Sequence, residues 1–443
     1  MDSSKETRPA AVPEVAKQAG EIWDRWSWVE PGVWTKAMLT ALEDGVKGEK
    51  WFALIDKVYS PANLLAAYAK VKANRGAAGV DRVSIEHFHR HRDENLEKLH
   101  ERLKAGTYFP QAVRRVYIPK PGSEKGRPLG IPTVRDRVVQ TALRNVVEPI
   151  FERDFAEHSY GFRPGRGCKD ALRRVHRLLR MGYTHVVDAD IKSYFDTIGH
   201  APLMKLVRQK VADGRVLELI EAYLSQRVME TAREWTPEEG TPQGGVISPL
   251  LANIYLDPLD HLMANAGIEM VRYADDLVLM CRSKEAAEAA LAMLRDWTDA
   301  AGLVLHSEKT RIVDADVESF EFLGYHFERG YIWPRKKSVD RLKDSIRSKT
   351  PRTNGQSLQA IVKDVNRTLV GWFGYFKHGQ GRVFVELDKW TRMRLRSILR
   401  KRAGRQGRGR GLDHFKWPNL YFAEQGLFSL GQARATYRQS LLR

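Results

Sequence analysis

Cysteine is scarce in this chain of 443 residues, which has only Cys168 and Cys281 and no CxxC pair. This scarcity excludes a disulfide-stapled scaffold and a cysteine-rich zinc site, and it suits a reducing compartment. Long apolar runs are also missing, and the start MDSSKETRPAAVPEVAKQ lacks the apolar core of a secretory signal. The sequence therefore predicts a cytoplasmic protein without membrane contact.

Negative charge is the third shortage, and it is most pronounced at one end of the chain. The whole sequence has 73 Lys and Arg against 55 Asp and Glu, a net charge of +18, whereas residues 335–443 alone have 26 Lys and Arg against 7 Asp and Glu. Such a concentrated positive field favours a polyanionic partner, nucleic acid before an anionic membrane. The alternative is a basic surface that serves only solubility.

Hydrophobic periodicity predicts a mixture of helices and strands without a regular βαβ rhythm, which indicates an α+β fold. After residue 335 the pattern changes to helices rich in Lys and Arg. Outside the central region we predict helices over 61–75, 135–150 and 283–302, a strand over 112–118 and a basic loop over 120–128.

Three short segments have the pattern of strands around a common site. HVVDADI at 185–191 alternates between two faces, and MVRYADDLVLM at 270–280 has apolar ends and a polar centre, which indicates two strands joined by a tight turn. YIWP at 331–334 is predicted as the third strand, after a hairpin turn at Gly330.

The aspartates of these segments are the main chemical signal. Asp275 and Asp276 lie together in the predicted turn, and Asp190 ends a neighbouring predicted strand. Mg²⁺ prefers carboxylate oxygens, takes one or two of them from a protein and leaves positions for substrate phosphates. Two such ions support in-line phosphoryl transfer. The alternative is a pair of solvated turn residues, which is common for Asp-Asp.

In combination, these segments resemble the polymerase motifs of group II intron reverse transcriptases. The resemblance runs in order over roughly residues 50–400. It rests on NRGAAGVDRVSI (74–85), RRVYIPKPGSEKGRPLGIPTVRDRVVQTAL (114–143), SYGFRPGRGCKDAL (159–172), VVDADIKSYFDTIGH (186–200), GTPQGGVISPLLANIYLDPLD (240–260), YADD (273–276), LHSEKT (305–310) and FEFLGYHF (320–327).

The resemblance implies a right-hand polymerase with an antiparallel palm sheet and a helical thumb, also called the maturase domain. The implied parts are an N-terminal extension (1–50), fingers (51–184), a palm (185–334), a thumb (335–400) and a basic C-terminal segment (401–443). It also implies an RNA-directed DNA polymerase in which Asp190, Asp275, Asp276 and the Ile191 carbonyl hold two Mg²⁺ ions, with Mn²⁺ as a candidate substitute.

Five residues match positions that bind the incoming nucleotide in this family. The resemblance implies that Lys120 and Arg127 hold the triphosphate, that Phe195 excludes a 2′-hydroxyl, that Gln243 contacts nucleotide or template, and that Lys309 neutralises or protonates the leaving pyrophosphate. Without the resemblance, solvated charges and a core aromatic would be the ordinary interpretation.

Nucleic-acid contacts are expected at Arg163 and in RKRAGRQGRGRG (400–411). That stretch has no apolar stripe and is predicted to be a flexible loop whose Arg405, Arg408 and Arg410 grip phosphates. The expected partners are structured RNA, above all group II intron RNA, an RNA template with a DNA or RNA primer, and deoxynucleotides.

Three functions remain open. The first is an intron-encoded enzyme that copies RNA into DNA and assists splicing and mobility of its intron. The second is an intron-free relative used in DNA repair or phage defence, and the third is a catalytically silent splicing factor. No cysteine follows Cys281, so the resemblance implies the form without the zinc-supported His/Asn nuclease. The intact aspartates argue against the third function.

Overall fold

The structure is a computed structural model that describes residues 22–119, 126–230, 233–237, 239–241, 244–409 and 411–440. The predicted site residues Lys120, Gln243 and Arg410 lie outside the described residues. The described part divides into two compact units. The first comprises described residues of Met1–Val175 and Val187–Ile312, and the second comprises those of His176–Val186 and Val313–Arg443.

Helices form most of the described chain. Many begin at a Ser, Thr or Asp that accepts a hydrogen bond from the first turn, as in the Thr133 cap on the helix beginning at Val134. Helices α1–α19 are Ile22–Arg25, Lys36–Asp44, Ile55–Val58, Pro61–Ala73, Ile85–Arg90, Arg92–Ala105, Val134–Glu152, Cys168–Arg180, Tyr194–Thr197, His200–Lys210, Gly214–Leu224, Ser248–Asn265, Lys284–Ala300, Lys336–Lys349, Leu358–Phe376, Gly381–Arg402, Asp413–Lys416, Asn419–Glu424 and Leu430–Ser440.

The strands form three sheets, with the orders β2-β1-β4-β5, β6-β7-β3-β8 and β11-β10-β9. Strands β1 and β2, β4 and β5, β6 and β7, and β9 to β11 pair antiparallel, whereas β1 runs parallel to β4. Strands β1–β11 are Val113–Ile118, Arg127–Ile131, His185–Asp190, Val228–Glu230, Arg233–Trp235, Glu269–Tyr273, Asp276–Cys281, Arg311–Asp314, Ser319–Phe322, Tyr325–Glu328 and Tyr331–Pro334.

The core of the first unit surrounds two long buried helices. In α7 all but a few residues are buried, because its faces meet neighbouring elements on several sides, and α12 is similarly enclosed. The apolar face of β3, carrying Val187 and Ala189, joins the same core. At roughly 25 cal/mol per Å² of apolar area, burial on this scale fixes the strands that bear the aspartates.

The second unit is mainly helical. Its core comes from α14, α15 and α16, with Phe422 and Leu430 added from the C-terminal helices. Trp372 and Phe373 of α15 meet Phe384 at ring-centroid distances of 5.9 and 5.7 Å. These aromatic residues therefore pack helix on helix, with edge-to-face geometry.

The fold confirms the predicted α+β class, with helices at α4, α7 and α13 and the hairpin of β6 and β7. Other expectations were wrong. YIWP forms a strand, but β11 pairs with β10 in a different sheet from the one that contains the aspartates. Arg127 was expected in a loop and instead begins β2, opposite Ile118.

The basic stretch after Arg400 is more ordered than predicted. Its first residues end α16, and Arg400 donates to the carboxylate of Asp413 at 2.5 Å. The Gly409 N–H donates to Ser397 Oγ at 3.2 Å, and a Cβ at Gly409 would come within 2.5 Å of Arg396. The prediction of a loop is therefore wrong for residues 400–402, which lie in α16, and Gly409 is hydrogen-bonded to that helix. No helix among the described residues is both long and apolar enough to cross a membrane.

Candidate active site

The aspartates predicted to act together do lie at neighbouring strand ends. Asp190 is the last residue of β3, and β7, which begins at Asp276, is the next strand in the sheet. Burial raises the pKa of Asp275, and the negative charge of Asp190 raises it further. The two carboxylates are therefore close enough to repel each other, and a cation bound between them would relieve that repulsion.

The turn between β6 and β7 is tight. Tyr273 pairs with Asp276 across it, and Ala274 has a φ of +58°, a left-handed conformation that is costly for a residue with a Cβ. Asp276 is exposed, whereas Asp275 is partly buried. The two aspartates therefore differ in environment although they are adjacent in sequence.

A buried arginine, Arg272, holds this turn through a hydrogen bond to its backbone. The Arg272 guanidinium donates from Nε to Asp260 Oδ1 at 2.7 Å and from Nη1 to the Ala274 carbonyl and to Asn253 Oδ1, both at 3.0 Å. All three side chains are buried. The sequence interpretation missed them, although charged residues within the apolar patterns of α12 and β6 are a signal that each needs a partner.

Lys309 contacts the first aspartate directly. Its Nζ lies 2.6 Å from Asp190 Oδ2, and the backbone N–H of His306 donates to the Asp190 carbonyl at 2.8 Å. The Lys309 side chain is more than half exposed, so its amine can also face a bound anion. The LHSEKT segment is thus held at the end of β3 by an ion pair and a backbone hydrogen bond.

Two of the other residues predicted to contact the nucleotide, Arg127 and Phe195, are among the residues that the structure describes. Arg127 is exposed on β2, and its positive charge lowers the pKa of Asp275 against the larger effect of burial, which indicates that its charge reaches the aspartates. Phe195 lies in α9, half-buried, with its ring centroid 5.6 Å from that of Tyr194. Phe195 thus lies in the helix that follows β3, five residues after Asp190.

The expectation that Arg163 binds nucleic acid is contradicted by its position. Its side chain is 1% exposed, and its guanidinium donates to both carboxylate oxygens of Glu152 at 3.0 Å. It also donates to the carbonyls of Ala156 and Ser159, at 2.5 and 2.8 Å. With these donors used inside the protein, Arg163 fixes a loop. Arg405 and Arg408, by contrast, are exposed in the second unit.

The residues present can be tested against the needs of a divalent cation. Over the described ranges between residues 22 and 440, no group of three or more His, Cys, Asp or Glu side chains is arranged to hold a metal ion by itself. Mg²⁺ needs only one or two protein carboxylates when phosphates and waters complete its shell. Asp190 and Asp275 therefore supply the number of carboxylates that such a cation needs.

Comparison with known proteins decides the family. Residues 118–327 match the reverse transcriptase (RNA-dependent DNA polymerase) model, and residues 339–417 match the group II intron maturase-specific domain. Protein YkfC of Escherichia coli (strain K12) is 35% identical over 317 residues, which cover 62% of this chain and 83% of YkfC. The chain belongs to the group II intron reverse transcriptase/maturase family. Reverse transcriptases of this type use divalent metal ions.

Two further proteins that are similar to this chain are named as products of introns. Group II intron-encoded protein LtrA of Lactococcus lactis subsp. cremoris is 39% identical over 214 residues, or 48% of this chain and 35% of LtrA. The putative COX1/OXI3 intron 1 protein of Saccharomyces cerevisiae is 26% identical over 389 residues, or 74% of this chain and 45% of that protein. The match thus spans about a third of LtrA and under half of the yeast protein.

Proposed function

We propose that this reverse transcriptase/maturase is an RNA-directed DNA polymerase of the group II intron type. The observation that carries the proposal is the proximity of the Asp190 and Asp275 carboxylates at adjacent strand ends, within the matched polymerase domain. The reaction is attack of a primer 3′-hydroxyl on the α-phosphate of a deoxynucleotide, with release of pyrophosphate.

Asp190, Asp275, Asp276 and the Ile191 carbonyl are the proposed ligands of two Mg²⁺ ions. When bound, the ions supply Lewis-acid chemistry to the attacking hydroxyl and the leaving oxygen. The protein contributes rigidity, because β3, β7 and the Arg272 network hold the carboxylates in place. Lys309 adds a positive charge at Asp190, from which it can also reach the departing pyrophosphate.

The incoming nucleotide is proposed to lie between β2 and α9. Arg127 supplies a positive charge for the triphosphate, together with Lys120, and Phe195 packs beneath the sugar. Gln243 contacts nucleotide or template. The exposure of Arg127 and its electrostatic effect on Asp275 support this placement. In this arrangement the first unit carries most of the fingers and palm, and the second carries residues 313–334 of the palm and the thumb.

Arg127→Ala should raise the KM for each deoxynucleotide by about 10- to 100-fold, because a charge-assisted contact with phosphate contributes about 1.5–3 kcal/mol. Steady-state primer extension measures this change. Arg92→Ala is the matched control, since Arg92 is a partly exposed arginine paired with its neighbour Asp93. An unchanged KM for Arg127→Ala would remove Arg127 from the nucleotide site.

The second unit is proposed to bind structured RNA, in particular the RNA of a group II intron, and so to assist splicing and mobility. Its support is the maturase-specific match over 339–417 and the excess of Lys and Arg from residue 335 onwards. Structured RNA is gripped mainly by contacts with phosphates and 2′-hydroxyls, which suits dispersed cations.

Neutralising Arg405 and Arg408 together, each to Gln, should reduce the slope of log affinity against log salt by about one to two for an RNA template. Fluorescence anisotropy at several salt concentrations gives the slope. Arg382→Gln provides the control, because Arg382 is equally exposed but already paired with Glu386 at 3.0 Å. If both variants keep the original slope, this basic segment does not contact RNA.

Primer extension by the purified chain tests the proposed activity. We expect a DNA primer annealed to RNA to be extended with deoxynucleotides in Mg²⁺, and extension to stop when EDTA removes the metal. RNA binding without extension under every divalent metal tested would contradict the polymerase and favour a silent splicing factor. A catalytic intron RNA encoded around the reading frame would identify the RNA partner to use in a splicing assay.

A further inference from the structure

The loop that contains SYGFRPG (159–165) runs beside β6 and contacts the turn between β6 and β7, called the aspartate turn because it carries Asp275. The Arg272 N–H donates to the His158 carbonyl at 3.0 Å, and the Tyr160 N–H donates to the Arg272 carbonyl at 2.9 Å. Gly161 then touches the turn itself, since a Cβ there would come within 2.3 Å of the Ala274 nitrogen. Only glycine permits this approach.

The backbone on both sides of the next residue, Phe162, is fixed. Asn253 Nδ2 donates to the Gly161 carbonyl at 2.8 Å, and Asn253 is itself bonded to Arg272. On the other side, the buried Arg163 is anchored to Glu152. The backbone of Phe162 therefore cannot change its conformation without breaking buried hydrogen bonds.

Phe162 itself breaks two ordinary preferences. Its φ is +58°, in the left-handed region that a bulky residue rarely adopts, and the residue is 47% exposed although its side chain is apolar. Neither backbone preference nor burial explains a phenylalanine here. Strained conformations that are held firmly by their surroundings are concentrated at functional sites.

The Phe162 ring is aimed at two aromatic residues of the candidate active site. Its centroid lies 6.5 Å from that of Phe195, with the rings at 77°, and 6.3 Å from that of Tyr273, with the rings at 44°. Tyr273 precedes the aspartate turn, and Phe195 follows Asp190 by five positions. The edge-to-face contact is one of the preferred geometries for aromatic pairs.

We infer that Phe162 is a positioning residue for sugar selectivity, which acts by holding the Phe195 ring where a ribose 2′-hydroxyl would otherwise fit. The inference rests on the proposed function, in which Phe195 packs beneath the sugar. The fixed loop holds Phe162, and Phe162 restricts the Phe195 ring from the side. Without that contact, Phe195 gains room to turn away, and ribonucleotides are accepted more readily.

A double-mutant cycle tests this dependence. The ratio of kcat/KM for a deoxynucleotide to that for the ribonucleotide with the same base is measured for the unmodified chain, Phe162→Ala, Phe195→Ala and the double variant. Phe162→Ala should lower the ratio by about tenfold, the scale set by one aromatic pair. The double variant should be no less selective than Phe195→Ala, because Phe162 acts only through that ring.

The outcomes separate the inference from the proposed function. If Phe195→Ala loses selectivity while Phe162→Ala keeps it, or if the two effects add in full, Phe162 does not position Phe195 and only the inference is overturned. If Phe195→Ala keeps full selectivity, the proposed sugar contact and the inference both fail. If the unmodified chain makes no DNA, the polymerase proposal fails as well.

A further pair of variants excludes a merely structural role. Phe162→Gly suits the left-handed φ, so we expect its melting temperature to be at least that of the unmodified chain while its sugar selectivity falls. Phe162→Tyr keeps the ring and should keep the selectivity. A lower melting temperature with unchanged selectivity in Phe162→Gly would show that Phe162 serves only stability, and would overturn the inference.

Discussion

Asp275→Asn should reduce DNA synthesis on an RNA template by about a thousandfold or more. A metal-ligand carboxylate contributes several kcal/mol of charge stabilisation in the transition state, and each 1.36 kcal/mol is a factor of ten in rate. Single-turnover addition of one deoxynucleotide measures the loss. Asp296→Asn, at an exposed position on α13, is the matched control and should leave the rate unchanged.

The same substitution should not weaken the fold. Asp275 is partly buried and its charge is opposed by that of Asp190, so the amide removes an unfavourable charge while keeping the side chain's shape. We expect the melting temperature of the metal-free protein to stay the same or to rise, and RNA binding to persist. Retained DNA synthesis would contradict the metal assignment, and joint loss of synthesis and folding would point to a structural role.

Asp260→Asn should lower the free energy of unfolding by about 3–5 kcal/mol, the usual cost of removing one partner from a buried ion pair. The Arg272 and Asp260 side chains are 1% and 3% exposed, so an uncompensated guanidinium would remain in the core. Urea denaturation measures this change. Because Arg272 also holds the Ala274 carbonyl, the variant should synthesise DNA more slowly even where it is folded.

An exposed ion pair provides the comparison. Arg208 and Glu221 form a salt bridge with side chains 50% and 44% exposed, so Glu221→Gln should change the free energy of unfolding by no more than about 1 kcal/mol. Equal changes in the free energy of unfolding would mean that the buried Arg272–Asp260 pair stabilises the fold no more than an exposed pair does. A large change for Asp260→Asn alone would assign the turn's stability to the buried pair.

The aspartate hairpin was predictable because its signals are local. Two apolar runs around a polar centre specify two strands and a turn, and the alternation of HVVDADI specifies the companion strand that ends at Asp190. The caps of α4 and α13, at Ser60 and Ser283, likewise depend on neighbouring residues alone. The carboxylate cluster could therefore be predicted without knowledge of the fold.

The supporting residues were not predictable in this way, because their partners are set by the fold. Arg163 stands in a basic-looking motif, yet its charge is matched by Glu152 and by backbone carbonyls that only the folded loop brings together. The conformation of Phe162 depends on the contacts of the preceding Gly161 with Asn253 and Ala274, which are distant in sequence. The prediction that YIWP lies beside the aspartates was wrong for the same reason, since four residues can specify a strand but not the sheet to which it belongs.

The metal position can be measured directly with Fe²⁺ in place of Mg²⁺. With ascorbate and peroxide, iron bound at the site should cut the backbone of the template-bound protein near Asp190 and near the turn at Asp275, and Mg²⁺ should suppress both cuts. The account predicts that Asp275→Asn loses the two cuts together with DNA synthesis. Cleavage confined to other segments, or unchanged in Asp275→Asn, would contradict a catalytic metal held between these strand ends.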